Sequence, residues 1–120
     1  MRRTSGMLIA CAVAATAPAA AALADDITIA LPAGQTVERT KVRYHCEGMA
    51  SVDVEYINAG ENALAVVTLV RVPLVFASVL SASGARYAAG PYVWWTKGRD
   101  ADFYDLRRGE DGEPVSCREQ

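Results

Sequence analysis

The sequence has 120 residues, is 52% hydrophobic, and carries twelve basic against fourteen acidic side chains, a net charge of −2. That length holds one small domain. A mildly acidic chain with no run of Lys or Arg lacks the electrostatic footprint of a nucleic-acid binder, so no nucleic-acid partner is expected.

The first element is a targeting segment. Arg2 and Arg3 precede an alanine-rich apolar run from Met7 to Ala22, and Ala22-Leu23-Ala24 places small residues where a signal peptidase reads. Residues 1–24 are therefore expected to be a signal peptide and residues 25–120 the mature domain. Pro18 interrupts the run, which is poor in Leu, Ile and Phe, so it is not a membrane span. Leu8-Ile9-Ala10-Cys11 also fits a lipoprotein cleavage pattern, but few apolar residues precede Cys11. The expectation is a soluble periplasmic product, with a lipid anchor at Cys11 as the alternative. Cleavage after Ala24 removes Arg2 and Arg3, leaving ten basic and fourteen acidic side chains. An acidic product of this kind suits a basic protein partner.

The mature chain reads as strands. Ile27–Leu31 is short and stops at Pro32, and residues 36–46 form a longer run ending at Glu47-Gly48. Val52, Val54 and Tyr56 alternate with Asp53 and Glu55, a period of two. Residues 58–62 make a turn, and a β-branched apolar run covers residues 63–70. Residues 74–80 lead into a small-residue loop, and residues 92–96 leave it. Residues 101–106 and 114–117 complete the series. Strands recurring at roughly ten-residue spacing predict an all-β fold, a small antiparallel barrel of about seven or eight strands. Closure removes the exposed edges. Trp94 and Trp95 are adjacent, so one faces the core and the other faces out.

Two cysteines remain after export, Cys46 and Cys117. In an oxidising compartment an even pair is expected to form a disulfide. The rival is metal ligation. There is no C-x-x-C, and consecutive His45, Cys46 and Glu47 alternate faces on a strand, so no metal site is expected.

No catalytic constellation is legible. His45 is the sole histidine, and Ser81 and Ser83 do not sit in a Gly-x-Ser-x-Gly elbow. Asp100, Asp102 and Asp105 read as a solvated face. The chain is not expected to be an enzyme or to need a cofactor.

Five separated elements carry a resemblance. They are Tyr44-His45-Cys46-Glu47-Gly48, Val54-Glu55-Tyr56-Ile57-Asn58, the loop from Ser81 to Tyr87, Trp95-Thr96-Lys97-Gly98, and Cys117. In this order they resemble the periplasmic and membrane-bound inhibitors of C-type lysozyme. The resemblance implies a partner, C-type lysozyme, and a mechanism in which the small-residue loop and a turn lysine enter the active cleft. Ser83 and Lys97 match the residues that face the lysozyme carboxylates, with Ser81 as the alternative serine. Gly84 and Tyr87 belong to the same binding element. Two other classes compete. One is a periplasmic barrel that holds a glycan or small ligand on Trp94, Trp95, Tyr87 and Tyr92. The other is a structural envelope domain.

Overall fold

The computed structural model describes residues 11, 12, 14, 15, 17, 19, 25–109 and 111–120. The chain divides into two units, Met1–Ala30 and Leu31–Gln120. Most of the expected signal peptide lies outside the described residues. Within it, Cys11 carries a free thiol. The described residues of the first unit form neither helix nor strand. The strand expected at Ile27–Leu31 is therefore absent.

The second unit is a closed antiparallel barrel in which eight strands follow one another in chain order. They are β1 (Val37–Cys46), β2 (Val52–Ala59), β3 (Asn62–Leu69), β4 (Val72–Val79), β5 (Ala85–Ala89), β6 (Tyr92–Lys97), β7 (Asp100–Asp105) and β8 (Val115–Glu119). A short 3-10 turn, Leu106–Arg108, follows β7. β5 falls where the sequence pattern reads as loop. Its Ala-Arg-Tyr-Ala-Ala run has no β-branched residue, and it takes strand form by pairing with Ser78 on β4 and Trp94 on β6 through Tyr87.

The barrel closes where the last three residues of β1 pair with β8. Cys46 and Cys117 are directly opposed in that register and form a disulfide. With a sequence separation of 71 between the two cysteines, the chain-entropy contribution is roughly 4 kcal/mol.

Alternation sends one side chain of each pair inward. Trp94 and Phe76 are fully buried and fill the interior with Val52, Val54 and Val67. Trp94 is thus the inward tryptophan. Its indole N–H donates to the Tyr56 hydroxyl at 2.9 Å, and the Tyr56 and Tyr44 hydroxyls share a 2.8 Å hydrogen bond. The Tyr44 ring meets Trp94 edge-on at 5.1 Å. Burial raises the pKa of Tyr44, Tyr56 and Tyr87 above the ordinary tyrosine value.

The outer wall has two characters. β1 and β2 carry cross-strand ion pairs, Arg43–Asp53 at 2.7 Å and Arg39–Glu55 at 3.4 Å. β3, β4 and β5 together carry a single charged side chain, Arg86.

Candidate functional site

Hairpin order decides what meets at each barrel end. The β4–β5 loop, residues 80–84, and the β6–β7 turn, Gly98 and Arg99, emerge at the same end. They are neighbours because β5 pairs with β6, with Ala85 opposite Thr96.

The loop is held by its backbone. The Ser83 carbonyl accepts a 2.8 Å hydrogen bond from Trp95 Nε1 and a second from the Ser81 hydroxyl. Among the described residues the Ser83 hydroxyl has no hydrogen-bond partner, and Ser83 is exposed. One residue on, Gly84 adopts φ +64°, and a Cβ there would collide with the Thr96 carbonyl oxygen and lie 2.9 Å from Lys97 Cγ. Only glycine lets the loop press this closely onto β6. The Thr96 hydroxyl ties the same junction by donating to the Ala85 carbonyl at 3.3 Å.

Lys97 ends β6 and is exposed. Its ammonium lies 4.5 Å from the centroid of the Trp95 ring, a cation–π contact. Asp100 pairs with Lys97 in the strand register, but its carboxylate takes Arg118 at 3.3 Å. Lys97 therefore presents a cation that no carboxylate among the described residues neutralises. One side chain, Trp95, thus fixes both the loop carbonyl and the lysine ammonium.

Ser81, Ser83, Gly84 and Lys97 come together at this end. Tyr87 does not join their surface. It points into the barrel, is 7% exposed, and packs 5.8 Å from the Tyr56 ring. The barrel mouth behind the loop is a shallow concavity of about 330 Å³ lined in part by Tyr44, Tyr56 and Tyr87. The four aromatics of the glycan-binding alternative do not share a groove. Trp94 is in the core, and Tyr92 stacks on Phe103 at 5.5 Å with Arg107 over its ring. Residue types alone do not single out Trp95 and Thr96 as supports of the site. Period-two alternation does place Trp95 and Lys97 on one outer face, which is the available signal.

No group of His, Cys, Asp and Glu among the described residues could hold a metal ion. No helix among them is long and apolar enough to cross a membrane. His45 is exposed on β1, opposite Arg118.

These features define a class: a small disulfide-tied barrel that presents a backbone-anchored loop and an exposed lysine from one end. Residues 44–111 match the family model described as membrane-bound lysozyme-inhibitor of c-type lysozyme. The chain belongs to this family. It is 46% identical over 94 residues to a membrane-bound lysozyme inhibitor of C-type lysozyme from Pseudomonas aeruginosa, covering 77% of this chain and 74% of the relative. A relative of the same description from Cupriavidus necator is 43% identical over 74 residues, covering 62% of this chain and 59% of the relative. Among solved structures, that of Pseudomonas aeruginosa MliC in complex with hen egg white lysozyme superposes with a TM-score of 0.68. It shares 41% sequence identity and covers 82% of this chain and 99% of that one. These relatives are named as inhibitors, not as enzymes.

Proposed function

We propose that this chain is a proteinaceous inhibitor of C-type lysozyme that protects peptidoglycan by filling the lysozyme cleft with the Ser81–Gly84 loop and Lys97. The observation that carries the reading is the pairing of an exposed Ser83 and an exposed Lys97 ammonium on the single scaffold of Trp95. Membership of the family supports it, as does the complex that the Pseudomonas aeruginosa relative forms with hen egg white lysozyme.

The chemistry follows from the target. C-type lysozyme works with two carboxyl groups, one held protonated as the acid and one ionised. Lys97 pairs with the ionised group. The Ser83 hydroxyl donates to a carboxylate oxygen or accepts from the protonated acid. Neither side chain is a bond that lysozyme can cleave, so the cleft is occupied without turnover. Gly84 keeps the tip thin, and Tyr87 acts from inside the barrel by supporting the strand that follows the loop.

On this reading the protein works in a Gram-negative periplasm, either released by cleavage after residue 24 or, alternatively, cleaved before Cys11 and held by a lipid on that residue. The designation of its relatives as membrane-bound supports the lipid-anchored form, with Cys11 as the acylated residue.

The test is lysis of peptidoglycan by hen egg white lysozyme, titrated with the oxidised domain from residue 25 onward. The expected result is a saturable fall in rate that excess substrate relieves. Undiminished lysis at micromolar protein would overturn the reading.

A further inference from the structure

A groove of about 420 Å³ opens on the outer wall of the barrel between Arg86, Val93, Trp95, Tyr104 and Leu106. Register builds it, because Arg86 faces Trp95 across β5 and β6, and Val93 faces Tyr104 across β6 and β7. Val93 has outward parity, the opposite of Trp94, yet is only 3% exposed, so its neighbours form a covered floor.

Arg86 is the unusual group here. It is the one charge on three consecutive strands. Its guanidinium carbon lies 5.7 Å from the Trp95 ring centroid. Its Nε is buried without a hydrogen-bond partner, and no salt bridge reaches it among the described residues. Asp102, opposite Trp95 on β7, instead accepts from the Ser116 hydroxyl at 3.3 Å. A buried guanidinium N–H without an acceptor is destabilising on its own. Its planar fork matches a carboxylate at two points.

The groove adjoins the loop. Arg86 follows Gly84 by two residues, about 7 Å along the strand. Trp95 is a wall of the groove, the donor to Ser83 and the platform under Lys97. A body seated on the loop and on Lys97 meets Arg86 next. Arg, Trp and Tyr are also the side chains that most often dominate binding energy at interfaces.

We infer that this groove is a second anchor of the inhibitory interface, receiving a carboxylate side chain from the rim of the lysozyme cleft. Arg86 donates to that carboxylate, and Trp95 and Tyr104 exclude water from it. The inference rests on the inhibitory reading above.

The experiment is a double-mutant cycle with hen egg white lysozyme. Arg86→Gln, Arg86→Lys and, as reference, Lys97→Ala are each titrated against lysozyme variants in which the exposed carboxylates of the cleft rim are changed singly to amides. Thermal melts of each inhibitor variant accompany the titrations. Arg86→Gln is expected to weaken binding about tenfold or more, with Arg86→Lys intermediate, because a point charge replaces a fork. The loss should vanish against one particular amide variant of lysozyme. Wild-type affinity in Arg86→Gln alongside weakened Lys97→Ala overturns the second anchor and leaves the inhibitory reading standing. So does a loss in Arg86→Gln that couples to no rim carboxylate. Failure of the unmutated protein to bind lysozyme overturns both.

Discussion

Trp95 Nε1 and the Ser83 carbonyl, twelve residues apart in sequence, are joined by a 2.8 Å hydrogen bond that fixes the loop to β6. The indole ring also lies 4.5 Å from the Lys97 ammonium. Loop and lysine therefore share one support, and disturbing it should alter both.

Trp95→Phe keeps a ring beneath Lys97 and removes the N–H that holds Ser83. Affinity for lysozyme is expected to fall roughly fivefold to tenfold, the worth of one neutral hydrogen bond. The folded barrel should persist, because Trp94 and not Trp95 occupies the core. Isothermal titration with parallel melting curves checks this. An unchanged affinity would remove Trp95 from the positioning role.

Gly84→Ala places a methyl group against the Thr96 carbonyl at φ +64°. The loop must lift from β6. Stability should drop by about 1–3 kcal/mol and inhibition should fall more steeply than the melting temperature. Circular dichroism melts and a lysis assay on the same sample separate the two effects.

Ser83→Ala and Lys97→Ala remove the two groups proposed to meet the lysozyme carboxylates. Each is expected to weaken binding by about 1.5–3 kcal/mol, roughly ten- to a hundredfold, and to leave folding intact. Arg108→Ala, at the opposite end of the barrel, is the control and should change little. A double mutant that binds like the unmutated protein would dismiss these residues as the site.

Alkaline pH should unfold the barrel through its tyrosines. Burial raises the pKa of Tyr56, and likewise of Tyr44 and Tyr87. Above about pH 10 the unfolded chain loses tyrosine protons that the folded one keeps. The unfolded state then binds fewer protons, so stability is full below that pH and declines as pH rises further. Tyrosinate absorbance should appear together with loss of structure, not before it. Tyr56→Phe should lower stability at neutral pH by about 1–3 kcal/mol by orphaning the Trp94 N–H.

The β3–β4 turn is improvable. Val70 and Arg71 both have positive φ, 44° and 68°, which a β-branched residue resists. Replacing the pair by Asn-Gly is expected to stabilise the domain by about 1 kcal/mol, raising the melting temperature by several degrees. Inhibition should not change, because this turn lies at the far end of the barrel from the loop.

The strands are legible where apolar and polar residues alternate, as in Val52–Tyr56, or where β-branched residues cluster, as in Ala63–Leu69. β5 is not, because small residues at 85, 88 and 89 carry no period and its strand form comes from neighbours on both sides. Ile27–Leu31 has strand composition but joins no ladder, and β-propensity without a paired neighbour does not make a strand. At the site, the loop, Lys97 and Gly84 are visible as residue types. Placing Tyr87 on the binding surface overlooks its parity with the interior-facing positions of β5. The grip of Trp95 on Ser83 depends on a backbone path set by one glycine, and no composition or spacing encodes such a path.

The seam between β1 and β8 has a consequence for biogenesis. Seven of the eight strand pairings join neighbours in sequence, whereas the eighth joins the first strand to the last. During synthesis or export an open curl of strands precedes any closed barrel, and closure must wait until β8 is delivered. Cys46 and Cys117 lie opposite each other on that final contact. The native register holds the two sulfurs within bonding distance, so oxidation is favoured once β8 has docked on β1. The bond clamps the one contact that joins the two ends of the strand series, so reducing it loosens the barrel at its seam first.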